Sequence, residues 1–284
     1  MKFLFPIAIV IFISLLPACK PMPNDGVPFY LKIDSVQLNT NAATQGANTH
    51  NITDVWVEAN ATNLGAYELP CNFPVLEENN VNFTLSAGIE QSGQAGIRVI
   101  YPFYQIDTFS LNAVRTQTYT HLPVFRYKTG TEFAFVDDFE TSNNFTNMPL
   151  ELRTVDTASN NVAYGQRCGV LTVSATDSNE LAYQSTPIDL PEGEEIWVEV
   201  DYKSEVPFWF GYVGYFNGSS SNSTNPFLFI NAKNKWSKLY IKLSESLATI
   251  RADKYSIYFE ALRPYGTNGG KVYIDNVKIV HILL

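Results

Sequence analysis

The sequence predicts an all-β protein, and three observations carry that prediction. Apolar residues recur with period two, and no window holds an i, i+3, i+4, i+7 run of helical length. β-branched and aromatic residues gather in short segments, and aromatics reach 14% of the chain. Asn, Gly and Pro punctuate those segments as turns. With 284 residues and 45% hydrophobic side chains, there is material for one large or two modest cores. The balance of 19 Lys and Arg against 28 Asp and Glu leaves a net charge of −9 and no basic stripe, which argues against nucleic acid as a partner.

Residues 1–18 read as a secretory signal peptide. Met1 and Lys2 precede an apolar stretch from Phe3 to Leu16, interrupted by Pro6 and ended by Pro17. It falls short of the roughly 20 apolar residues that a spanning helix needs. The segment closes Leu16-Pro17-Ala18-Cys19, which resembles the lipobox of bacterial lipoproteins: aliphatic at −3, small at −1, cysteine at +1. The resemblance implies cleavage before Cys19, acylation of Cys19, and the lipid bilayer as a partner. It implies a cell-envelope address on the outer membrane, because Lys20 stands where an inner-membrane retention aspartate would; which side is left open. Residues 19–27 are then the lipidated cysteine and a short tether, with two prolines, a glycine and no apolar period. The two other cysteines, Cys71 and Cys168, either pair or stay separately buried.

Residues 28–130 read as an N-terminal β-sandwich. The expected strands are Phe29–Leu38, Asp54–Asn60, Gly65–Leu69, Val81–Leu85, Ile97–Tyr101, Asp107–Leu111, Gln117–His121 and Phe125–Tyr127. Within Asp54–Pro70, Val55, Val57 and Ala59 alternate with Trp56, Glu58 and Asn60, and Asn60 to Asn63 form the turn of a hairpin. This valine-x-valine and leucine-glycine pattern resembles PEGA-type and transthyretin-like β modules, which implies a small sandwich. The boundary falls at Lys128–Glu132 (KTGTE), where Gly130 and two threonines separate two strand patterns.

Residues 131–284 form the second unit. It opens with Phe133–Glu140 (FAFVDDFE) and closes with Gly270–Val280 (GKVYIDNVKIV). Between them lie strands at Cys168–Ser174, Ile196–Tyr202, Phe208–Phe216, Trp236–Leu243 and Tyr255–Leu262, while the polar stretch Asn217–Asn225 reads as a loop. These opening and closing motifs resemble carbohydrate-binding-module-like jelly rolls, in which the first and last strands lie side by side. The resemblance implies a structural Ca²⁺ held by acids of those two strands, here Asp138, Glu140 and Asp275, with carbonyls or waters completing the shell. The combination of lipobox, small sandwich and jelly roll resembles envelope lipoproteins of Bacteroidetes.

Catalytic motifs are missing. There is no G-x-S-x-G, H-E-x-x-H, P-loop or G-x-G-x-x-G, and His50, His121 and His281 each stand apart. The expectation is therefore a protein that is not an enzyme; a hydrolase would need two carboxylates across a cleft. Ligand candidates come from the alternation. Ile196, Val198, Val200 and Tyr202 account for one face of their strand, leaving Trp197, Glu199 and Asp201 on the other. In Phe208–Phe216, Phe208, Phe210, Tyr212 and Phe216 share one face, and Trp209, Val213 and Tyr215 the opposite one. Flat rings beside polar groups suit the C–H faces and hydroxyls of a sugar, so Trp197, Glu199, Trp209 and Tyr215 are the expected ligand-binding residues. The favoured reading is a membrane-anchored, non-catalytic envelope module that binds a glycan or other envelope polymer. The alternative is a structural or assembly subunit whose partner is another envelope protein.

Overall fold

The computed structural model describes residues 26–140, 143–152 and 162–283; Cys19 lies outside them. The described chain is almost entirely strand. Its first part contains β1 (Phe29–Ile33), β2 (Gln37–Asn39), β3 (Ile52–Ala59), β4 (Thr62–Glu68), β5 (Cys71–Val75), β6 (Asn79–Glu90), β7 (Arg98–Ile100), β8 (Asp107–Ala113), β9 (Thr118–Thr120) and β10 (Val124–Arg126). The second begins with β11 (Glu132–Asp137), β12 (Phe145–Thr146), β13 (Leu150–Leu152), β14 (Arg167–Ser174), β15 (Asn179–Gln184) and β16 (Glu195–Ser204). It continues through β17 (Phe208–Tyr215), β18 (Ser223–Ile230), β19 (Lys233–Lys242), β20 (Lys254–Leu262) and β21 (Gly269–Ile282). Two short helices, α1 (Ala42–Gln45) and α2 (Ser244–Ile250), interrupt them.

In the first part, β4-β3-β6-β7 form one sheet, with β8 also paired to β6, and β5-β1-β9 form another. The hairpin expected over Asp54–Pro70 is β3 and β4, joined by Asn60 and Ala61 at φ 48° and 62°. Such a two-residue turn with both φ positive matches the right-handed twist of its strands, so the turn is tighter than the expected Asn60–Asn63. The sheets face each other through Phe29, Leu31, Ile33, Phe73 and Val75 on one side and Val55, Val57, Val81, Phe83 and Leu85 on the other. Phe29 meets Phe83 edge-on at 6.3 Å.

The second part is a sandwich of a six-stranded sheet, β13-β14-β21-β16-β19 with β11 on β21, and a five-stranded sheet, β12-β15-β20-β17-β18. β11 and β21 lie side by side and antiparallel, as the jelly-roll resemblance implies. The core between the sheets takes Ile196, Val198, Val200 and Tyr202 from β16, Phe208, Phe210 and Tyr212 from β17, and Ile257, Phe259 and Ala261 from β20. Period two thus sorted these strands as the sequence predicts.

One feature departs from two closed sandwiches in tandem. The apolar cluster of the first part also takes in Trp197, Tyr240, Val280 and Ile282, all from the outer face of the six-stranded sheet. Past the end of β6, Gln91 bridges to Tyr240, and the Ser92 N–H donates to the Tyr240 carbonyl at 2.8 Å. The first part therefore lies against that outer face, and β16 is buried on both sides along most of its length. Cys71 and Cys168, half-buried and buried respectively, are not joined in a disulfide.

Candidate functional site

The two faces of the second sandwich have different fates. On the six-stranded sheet, the residues expected to face solvent do not. Trp197 is only 2% exposed. Its indole Nε1 donates to Glu195 Oε1 at 2.7 Å, and its ring stands edge-on to Tyr101 at 5.4 Å. Glu199 is completely buried, and its Oε1 accepts from the hydroxyls of Tyr101 at 2.8 Å and Tyr127 at 2.7 Å. The correction has a simple cause: alternation places Trp197 and Glu199 on the non-core face, and the first part of the chain covers it. They belong to an internal interface.

That interface is built around buried charge. Glu199 and Lys278 are register partners on β16 and β21. Lys278 Nζ donates to the Ala47 carbonyl at 2.9 Å and to the Tyr127 hydroxyl at 3.2 Å, and sits 5.2 Å from the Tyr127 ring centre. Beside this pair, Lys238 Nζ lies 3.2 Å from Asp201 Oδ1, and Asp201 Oδ2 accepts from Thr49 and Asn276. Burial lowers Lys278 to about 8 despite the pull of Glu199. Trp236, on β19, lines an open cleft of about 320 Å³ with Asn48, Thr49, His50, Asp201 and Lys238.

The three expected calcium ligands each accept backbone N–H groups. Asp275 is buried opposite Asp201, and its Oδ2 accepts the Ala163 and Tyr164 N–H groups at 3.0 and 3.2 Å. Glu140 Oε1 accepts the N–H groups of Gln166 and Arg167, at 2.6 and 2.9 Å. Asp138 caps the Glu140 N–H, because β11 ends at Asp137 and Phe139 turns the chain at φ 59°. Among the described residues no group of three or more His, Cys, Asp or Glu side chains could hold a metal ion.

Asp275 has a consequence for pH. Burial, with Asp201 beside it, pushes its carboxyl from 3.8 up to about 8. The folded chain thus binds this proton more tightly than the unfolded chain, and the resulting stabilisation is complete below about pH 4 and lost as pH rises through about 8. Lys278 acts with the opposite sign, but only above about pH 8, between its folded value and the ordinary 10.5. Urea unfolding from pH 5 to 8 should therefore show stability falling in the native chain and falling less in Asp275→Asn, which keeps an acceptor for Ala163 and Tyr164. Equal slopes would mean that Asp275 is ionised throughout.

The outer face of the five-stranded sheet is partly exposed: Tyr258, Val213 and Ser256 on it are buried, while Phe229 is exposed and Trp209, Tyr183 and Tyr215 are half-buried. Register sets Leu181, Glu260, Trp209 and Phe229 in one row across β15, β20, β17 and β18. Tyr183, Tyr258, Gly211 and Pro226 form the next row. Trp209 is half-buried and meets Phe229 at 5.1 Å; Phe229 is 44% exposed. Tyr258 lies across Gly211, where a Cβ would come within 2.3 Å of its ring, so glycine is what lets the tyrosine lie flat. Tyr183 packs against Tyr258 at 5.6 Å. Asn179 Nδ2 donates to Glu260 Oε1 at 3.2 Å, adding polar groups beside the rings. Tyr215 shares the face further along β17, its hydroxyl 3.0 Å from Ser256 Oγ. Trp209 and Tyr215 are six residues apart on one strand, about 20 Å at strand rise.

Alternation assigns Trp209 and Tyr215 to the outward face of their strand, but it does not show Phe229, Tyr183 and Tyr258 as neighbours. Phe229 sits on β18, which begins at Ser223 inside the stretch expected to be loop, and β15 was not expected at all.

No protein-family model matches the chain, and no curated protein matches it. Several solved structures are similar. The enzymatically active domain of bacteriophage CBA120 tailspike protein 4 is 12% identical over 54% of this chain and 20% of its own, with a TM-score of 0.34. The CBM22-1–GH10 modules of Clostridium thermocellum xylanase 10B, complexed with xylohexaose, are 17% identical over 52% of this chain and 28% of theirs, at 0.36. The chain thus spans less than a third of either. The CBM22-1 xylan-binding domain of Paenibacillus barcinonensis Xyn10C is 11% identical over 55% of this chain and 99% of its own, at 0.35.

Proposed function

We propose that this protein is a non-catalytic, lipid-anchored envelope protein whose second sandwich binds a glycan on the outer face of its five-stranded sheet. The observation that carries this reading is the ring pair of half-buried Trp209 and exposed Phe229, with half-buried Tyr183 nearby, on the outer face of the five-stranded sheet, where Tyr258 is packed beneath the surface at 2% exposure. Rings on a core face need no ligand; rings on an open face expose apolar area that a sugar's C–H surface would remove from water. Glu260 and Asn179 supply the polar contacts that orient hydroxyls. The 20 Å run to Tyr215 suits a linear oligosaccharide better than a single ring. Anchoring rests on the lipobox at Cys19.

The test is affinity electrophoresis of the mature chain through gels containing soluble xylans, β-glucans or galactans. Retardation by at least one polymer is expected. Trp209→Ala should weaken it by about 1–3 kcal/mol, the scale of one large apolar contact, with little change in melting temperature. A folded chain that no polymer retards, or a Trp209→Ala variant retarded like the native chain, would remove this face as the site.

A further inference from the structure

Where the tether enters the fold, three segments meet at one end of the first sandwich. The Pro28 carbonyl, just before β1, accepts the Thr116 N–H at 2.9 Å. Phe29 pairs with Val75, which sets Leu76 just beyond the end of β5. Asn79 pairs with Ala113, which brings Val114 and the turn after it to the same end. Val27, Leu76 and Val114 are 52%, 67% and 56% exposed there. The charges around them are occupied: Arg115 bonds Glu78, and Asn60 Nδ2 donates to Glu77 Oε2 at 3.0 Å. The result is an aliphatic tip whose neighbouring acids already have partners.

Seven residues lie between Cys19 and Val27, and the eight Cα–Cα steps span at most about 29 Å even when fully extended. An acyl chain on Cys19 therefore keeps this tip close to the bilayer surface. Aliphatic side chains at such a place gain by entering the headgroup boundary, and a surface-held anchor is strengthened by a second apolar contact. We infer that Val27, Leu76 and Val114 form a lipid-contact tip that seats on the membrane holding Cys19. The inference rests on the lipobox reading of Cys19.

Lipidated full chain reconstituted into phosphatidylethanolamine–phosphatidylglycerol vesicles tests it, by flotation and by hydrogen–deuterium exchange against the unacylated mature chain in vesicle-free buffer. Peptides covering 76–79 and 113–117 should exchange several-fold more slowly on vesicles, while peptides from β17 do not change. The double variant Leu76→Asp/Val114→Asp should still float but lose that protection. A chain that floats with unchanged exchange at 76–79 and 113–117, or with protection spread evenly over the molecule, overturns the tip and leaves the anchor standing. A chain that fails to float, as Cys19→Ala should, overturns the anchor and the tip with it.

Discussion

Trp197→Ala should lower the unfolding free energy by about 3–5 kcal/mol, the range for emptying a buried aromatic site. The tryptophan is almost fully enclosed, and it belongs to the cluster that joins the outer face of β16 to the first sandwich. Its loss removes packing against Tyr101 and leaves Glu195 without the indole donor. Calorimetry of the native chain and the variant would measure the drop. The shape of the transition is informative as well: a single unfolding step in the native chain should broaden or split once the shared cluster is weakened. A shift under about 1 kcal/mol, typical of an exposed residue, would mean that the first part does not cover this face in solution.

The second large effect concerns the buried charges. Lys278→Met should cost about 1–3 kcal/mol, because it leaves the buried Ala47 carbonyl and Tyr127 hydroxyl without the ammonium donor and removes a positive charge that acts on Glu199. Glu199 would keep its two tyrosine donors and Lys238 at 3.7 Å but lose its register partner. The double variant Lys278→Met/Glu199→Gln should recover much of that loss, since glutamine still accepts from Tyr101 and Tyr127 without a charge to balance. Chemical denaturation of the native chain, both single variants and the double variant forms the cycle that separates pairing from packing. Strict additivity would show that Glu199 and Lys278 are not coupled.

Much of the fold was legible in the sequence because period two is a local signal. It separates Ile196, Val198, Val200 and Tyr202 from Trp197, Glu199 and Asp201, and the structure keeps that division. What alternation does not tell is whether the second face meets water. A strand buried on both faces normally reads as a continuous apolar run, and Val272–Val280 comes close to one. Glu199, Asp201, Lys238 and Lys278 disguised the covered face, since charged residues are buried only when paired and their partners lie far away in the chain. Tyr101 and Tyr127, the partners of Glu199, are about 70 to 100 residues distant in sequence. Elements with weak local signals were lost: β5 contains Pro74, and β18 starts within a run of Ser and Asn. The candidate face was half legible for the same reason. Trp209 and Tyr215 lie on a strongly patterned strand, whereas the register that brings Phe229, Tyr183 and Tyr258 beside them is a property of the assembled sheet.

The clamp around Trp197 changes how many copies would work together on one surface. Two sandwiches on a slack connection can each turn to meet a polymer, and neighbouring molecules then need no common alignment. Here Tyr240, Val280 and Ile282 join Trp197 in a cluster with the first sandwich, so the two units have no free hinge between them. If the proposed anchoring and glycan binding hold, a long glycan would be met by an array of stiff posts, each presenting its ring row at a similar height. The gain from engaging several posts at once would depend on how well their spacing on the surface matches the polymer, since little of the mismatch can be absorbed within each molecule.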